Sequence, residues 1–215
     1  MNNIIQFDKN SAAIIHLSSV DTKLAALIDN IGEYTLLLRT DYTAAIIRAI
    51  IGQQLSVKAA RTIWHRLEQL CGGVTPDAIL SVSEEELRQA GLSKAKACYA
   101  KDFSMKVQSG EINFESLCGL EDEMVISTLT QVRGIGKWTA EMFLIFSLGR
   151  PDILPVDDLG LQRSIMWLYG LPDTPKRSEL FELGQLWKPF RSVATLYLWD
   201  AVNRGIITSP TRIDN

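Results

Sequence analysis

The chain has 215 residues, 47% of them hydrophobic, with 22 Lys and Arg against 25 Asp and Glu. That length and apolar content suffice for a buried core in one domain or two small lobes, and no apolar stretch, "MFLIFSL" from Met142 included, is long enough to span a bilayer. A formal charge of -3 lacks the basic footprint usual for a nucleic-acid-binding domain, and Cys71, Cys98 and Cys118, with only His16 and His65 beside them, support neither a disulfide framework nor a zinc or iron-sulfur site.

The opening "MNNIIQFDKN" has no basic region leading into an apolar signal core, so a cytoplasmic location is expected. Apolar residues then recur at helical spacing in "DTKLAALIDNIG" and "YTAAIIRAII". Val57, Ala60, Ile63, Trp64, Leu67 and Leu70 form one stripe behind Ser56, which is placed to cap it. The pattern continues through "SEEELRQAGL", "SKAKACYAKDFSMKV", "DEMVISTLTQV", "KWTAEMFLIFSL", "DLGLQRSIMWLYG", "SELFELGQLW" and "RSVATLYLWDAVNRG". No stretch alternates as a strand does, which predicts an all-α protein of about ten short helices. Arg88, Lys94, Lys96, Lys101 and Lys106 precede an acidic run containing Glu111, Glu115, Glu121, Asp122 and Glu123, so either one face is positive or both runs are solvated helix faces. Prolines at 151, 155, 172, 175 and 189 make 149–157 an irregular loop and mark a change of organisation there.

Between "MVISTLTQV" and "KWTAEMFLIFSL" the chain has only "RGIG", room for a tight helix reversal in which Gly134 and Gly136 supply conformations denied to side chains. This predicts a helix-hairpin-helix. The amides that open its second helix carry partial positive charge, so a phosphate can approach them beside Lys137 and Thr139. A plain αα-corner using glycine for geometry alone fits the same residues.

Together "AIIGQQLSVKAARTIW", "LTQVRGIGKWTAEMF", "PVDDLGLQRS" and "LWKPFRSVATLYLW" resemble the helix-hairpin-helix DNA glycosylases with a Gly/Pro-rich loop and an essential aspartate, above all the 3-methyladenine type in a compact form without an N-terminal β-rich domain. The resemblance covers roughly residues 40 to 205. It implies two helical lobes around a DNA-binding cleft, a bundle at 35–148 bearing the hairpin and a second lobe made of 1–34 and 149–215. It sets Asp157 on the essential carboxylate, with Asp158 as the alternative; Asp157 also stands where an N-cap of the following helix is expected, and a lone aspartate there is more often a cap than a catalyst.

The same likeness places Gln54 as the wedge that fills the stack when a base is extruded, with Leu55 beside it, although "QQLS" reads equally as a solvated helix N-terminal turn. Trp138, Trp199, Met142 and Gln53 are implied for the base pocket, with Trp187 and Phe190 supporting its wall; plain core packing is the alternative for the tryptophans. Trp138 occupies the place where strand-cutting relatives carry a Schiff-base lysine, and Lys137 points about 100° away around the helix, so a monofunctional, hydrolytic enzyme is expected. Main-chain oxygens of Thr130, Val132 and Ile135 are implied ligands of a structural Na+ or K+, and no cofactor is expected for the chemistry. The implied partner is double-stranded DNA with alkylated bases, acted on by a monomer without a membrane. Two other readings fit: a glycosylase for a deaminated, etheno or oxidised base, and a non-catalytic DNA-binding module built on the same hairpin.

Overall fold

The computed structural model describes residues 3–207. In chain order its elements are β1 (Ile4–Phe7), α1 (Ala12–Val20), α2 (Thr22–Ile31), β2 (Tyr34–Leu37), α3 (Tyr42–Gly52), α4 (Val57–Cys71) and α5 (Pro76–Ser81). They continue with α6 (Glu84–Gln89), α7 (Lys94–Gln108), α8 (Phe114–Cys118), α9 (Asp122–Thr130), α10 (Lys137–Phe146), α11 (Leu159–Tyr169), α12 (Arg177–Leu186) and α13 (Arg191–Asn203).

The fold is helical, as the periodicity predicts, with three helices that the pattern does not reveal. α5 and α8 have 6 and 5 residues, too few to display a stripe, and α1 begins "AAII", where apolar residues are contiguous instead of spaced. A small antiparallel ribbon is added: Ile4 lies opposite Leu37 and Phe7 opposite Tyr34. Each strand has 4 residues, too short to show alternation against the helical background.

Short polar side chains start the helices. Asp21 Oδ1 accepts from Leu24 N at 3.0 Å, Asp41 Oδ1 from Ala44 N at 3.0 Å and Ser56 Oγ from Ala59 N at 3.3 Å. Ser83 and Glu86 form a reciprocal capping box, and Gly72 and Gly170 close α4 and α11 in the left-handed conformation.

The chain divides into two compact units, one made of the stretches up to Leu38 and from Gly149 onward, the other of Arg39–Leu148. In the first, Leu17, Leu24, Ile28, Leu161, Ile165, Trp187, Tyr197 and Leu198 form one buried cluster. A polar node lies within it: Asp21, 7% exposed, accepts from Trp187 Nε1 at 2.9 Å and from the Tyr169 hydroxyl. In the second unit α3 packs on α4, α7 and α10. Its run "AIIRAII" buries Ile46, Ile47, Ile50 and Ile51 almost completely, as expected of a helix apolar on nearly every side. α3 ends at Gly52 and delivers "QQLS" directly beyond it.

Candidate functional site

The hairpin is held from inside by Val132 and Ile135, 2% and 3% exposed, with Ile135 N donating to Val132 O at 3.0 Å. Gly134 has φ +84°, and a Cβ on it would stand 2.1 Å from Cδ2 and 2.2 Å from Cγ of Tyr99, a residue of α7. The turn backbone is therefore in close contact with an aromatic ring at Gly134. Gly136 is the N-cap of α10 and, having no side chain, makes no side-chain cap bond to it. Lys137 is exposed beside it, with Nζ 3.7 Å from Oε1 of Glu141, itself 3% exposed. Glu141 has no place in the sequence-based site; the signal was a carboxylate within the otherwise apolar run "AEMFLIF". The Thr139 side chain turns inward, 1% exposed with its hydroxyl accepting from Gln53 Nε2 at 2.9 Å, so what Thr139 offers at the start of α10 is its main-chain amide.

That bond belongs to the turn after α3. Gln53 Nε2 also donates to Gly134 O at 2.9 Å, tying the turn to the hairpin. Gln54, next in the chain, has φ 57°, an uncommon conformation for a residue with a side chain, and is exposed together with Leu55. Lys96 of α7 donates from Nζ to Ile51 O at 2.8 Å and to Gln53 O at 2.7 Å, and burial pushes its ammonium below the usual lysine range. Neither contact was visible in the sequence, since the partners are 45 and 43 residues apart.

Four of the five cations in the basic run before the acidic segment have partners within the protein. Arg88 pairs with Glu85 at 3.1 Å, Lys96 turns to the α3 turn, Lys101 donates to Leu80 O at 3.3 Å, and Lys106 pairs with Glu111.

In the other unit, the loop that carries the aspartates hangs from the start of α13. Arg191 grips Asp152 in a fork, Nε to Oδ1 at 2.7 Å and Nη2 to Oδ2 at 3.0 Å. Ser192 N donates to Pro151 O at 2.9 Å, and Ile153 N donates to Ser192 Oγ at 2.8 Å. Leu154 and Val156 are buried, and Gly184 of α12 makes room for the former, since a Cβ there would meet Leu154 Cδ2 at 2.4 Å. The N-cap of α11 is Asp158, not Asp157: its Oδ1 accepts from Leu161 N at 2.7 Å and from Trp199 Nε1 at 2.8 Å. Gly160 allows this pairing, because a Cβ on it would stand 3.0 Å from Asp158 Oδ1. Asp157 points outward, its side chain 43% exposed, with Oδ1 3.0 Å from Arg177 Nη1 at the start of α12. Arg177 was not foreseen; its sequence context is a helix start and nothing else.

The remaining predicted residues fall as follows. Trp138 is half-buried in the first turn of α10, with Met142, 6% exposed, one turn on. Trp199 is half-buried on α13. Trp187 is fully buried and bonded to Asp21, and Phe190 packs on His16 with ring centroids 5.7 Å apart, so both pack within their own unit. No helix among the described residues is long and apolar enough to cross a membrane.

Residues 47–189 match the family described as HhH-GPD superfamily base excision DNA repair protein. The DNA-3-methyladenine glycosylase 1 of Schizosaccharomyces pombe is 34% identical over 207 residues, 93% of this chain and 91% of the relative. Among solved structures, a DNA-3-methyladenine glycosidase from Bacillus halodurans is 42% identical with a TM-score of 0.78, covering 92% of both chains. The 3-methyladenine DNA glycosylase of Schizosaccharomyces pombe in complex with abasic DNA is 33% identical with a TM-score of 0.85, covering 94% of this chain and 100% of that one.

Proposed function

We propose, from the premise that the chain belongs to the HhH-GPD superfamily of base excision DNA repair proteins, that it is a monofunctional DNA glycosylase excising alkylated purines of the 3-methyladenine and 7-methylguanine type. The observation that carries this reading is Asp157. Its neighbour Asp158 takes the capping role, so Asp157 is an outward carboxylate on a loop clamped by Arg191 and Ser192, which is the arrangement a charge-stabilising group requires.

A purine alkylated on a ring nitrogen is cationic, and its departure leaves positive charge on the sugar. The C1′–N bond breaks with its electron pair passing to the base, which leaves neutral. The Asp157 carboxylate stabilises the sugar cation, orients water toward C1′ and takes its proton as the C1′–O bond forms. Arg177 shares that carboxylate in the free protein; with side chains 59% and 43% exposed, the pair is weak enough to yield to substrate. Because the leaving base is already charged, little protonation is needed. The half-buried indole of Trp199, in the same unit as Asp157, offers an aromatic face to such a base. Lys137 binds phosphate with the first amides of α10 and takes no part in the chemistry, so the product is an abasic site.

The carbonyls of Thr130, Val132 and Ile135 would hold a monovalent cation at the hairpin. Thr130 ends α9, so its carbonyl is among those a helix terminus leaves without an intrahelical amide, and Val132 O has a second lone pair beyond the one that accepts Ile135 N. Such an ion supplies charge for a phosphate and nothing to the bond-breaking step. The partner is double-stranded DNA and the active species a monomer.

The test is release of free 3-methyladenine and 7-methylguanine from methylated duplex DNA, comparing the wild-type chain with Asp157→Asn at matched DNA occupancy. Release slowed by about 10²-fold or more in the variant is expected. If both proteins bind DNA and neither releases a base, the alkylpurine assignment fails.

A further inference from the structure

We propose that Lys96 is a positioning residue for base extrusion: it sets the turn that carries Gln54, and through α7 it fixes that turn relative to the hairpin. The inference rests on the reading of Gln54 as the wedge. α3 ends in carbonyls that its own helix cannot satisfy, and those of Ile51 and Gln53, two residues apart, converge on the single Lys96 Nζ at 2.8 and 2.7 Å. Folding both onto one ammonium bends the chain back sharply. The residue that follows, Gln54, takes φ 57° and is directed outward instead of continuing the helix.

A methionine or leucine at position 96 fills similar space and leaves both carbonyls without this donor. An ammonium partly removed from water is tolerated here because it meets the negative end of α3. The Gln53 side chain extends the tie, donating to Gly134 O and Thr139 Oγ1 in the hairpin. Tyr99, three residues after Lys96 and so on the same face of α7, carries the ring on which Gly134 lies. One helix thus braces both the wedge turn and the phosphate-binding hairpin. Strain in Gln54 is held by charge-assisted bonds behind it, so the wedge enters the duplex without first being ordered.

The test uses the full chain with Lys96→Met, Gln54→Ala and the double variant. Single-turnover excision is measured at saturating methylated duplex, extrusion by the fluorescence of 2-aminopurine next to the lesion, and affinity for undamaged duplex separately. Lys96→Met is expected to slow excision about tenfold or more and to lower the fluorescence rise, while affinity for undamaged DNA changes by less than about twofold, because the hairpin amides remain. The double variant should be no slower than the slower single variant, since Lys96 acts through Gln54. Wild-type excision and fluorescence in Lys96→Met, or effects that add in the double variant, overturn the proposal. Should Lys96→Met not fold, Lys96→Gln, which keeps an amide donor for one carbonyl, reads the same quantities with smaller shifts. Asp157→Asn in the same assay separates the two readings: it should lose excision yet keep the fluorescence rise, so continued excision by that variant counts against the chemistry alone.

Discussion

Replacing Gly134 by alanine tests the hairpin at its tightest point. The backbone there has φ +84°, a region that costs a residue with a Cβ about 1–2 kcal/mol. The new methyl would also stand 2.1, 2.2 and 2.7 Å from three ring atoms of Tyr99. Those atoms include Cγ, near the root of the side chain, so the ring cannot swing clear without α7 or the turn moving, and overpacking of this kind costs about 1–3 kcal/mol. The sum is about 2–5 kcal/mol, read as a lower urea midpoint at unchanged denaturant slope. Adding Tyr99→Ala should return the steric part but not the backbone part, a favourable coupling of about 1–3 kcal/mol beyond the single effects. A Gly134→Ala cost below about 1 kcal/mol, or single effects that simply add, would refute the claim that the hairpin is seated on this ring.

Further outcomes follow from the first unit. Asp21→Ala removes the acceptor of Trp187 Nε1 and of the Tyr169 hydroxyl and the cap of α2, so a loss of about 3 kcal/mol or more is expected in urea unfolding; a loss under about 1 kcal/mol would mean that the node is solvated. Stability should also fall in alkali. Burial is the first cause that raises the Tyr34, Tyr169 and Tyr197 hydroxyls above 10.0, Tyr197 to about 12. Groups raised in the folded state contribute stability fully present below their unfolded value and lost as pH rises through the folded one. The urea midpoint should therefore decline from about pH 10 to 12 and above, and Tyr197→Phe, which cannot ionise, should flatten part of that decline.

Much of this architecture is written in local patterns. Ser56, Ser83, Ser93 and Asp41 each open a helix that the apolar spacing already marks, because capping and amphipathicity act over a few residues. The hairpin was legible for the same reason. What stayed hidden depends on partners far along the chain: Lys96 looked like one cation of a basic run, and nothing near it says that its ammonium would meet the end of α3. Nothing near Thr139 says that its hydroxyl would be taken by Gln53, 86 residues away. The adjacent aspartates divide on a detail of one residue. A cap must fold back onto amides two or three residues ahead, and Asp158 does so while Asp157 turns outward to Arg177.

The discontinuity of the first unit also has a meaning for synthesis. Residues 39–148 are inserted between its two parts, so a chain emerging from the ribosome completes the inserted unit before α11 and α13 exist. At about 5–20 residues per second, roughly ten seconds or more separate the appearance of α2 from that of α13. Throughout that interval Leu17, Leu24 and Ile28 lack the residues that finally bury them, Leu161, Tyr197 and Leu198 among them. A nascent chain stalled just after the inserted unit therefore carries a sticky helix pair as well as a finished bundle, and that species, more than the unfolded chain, is the one a chaperone would have to shield.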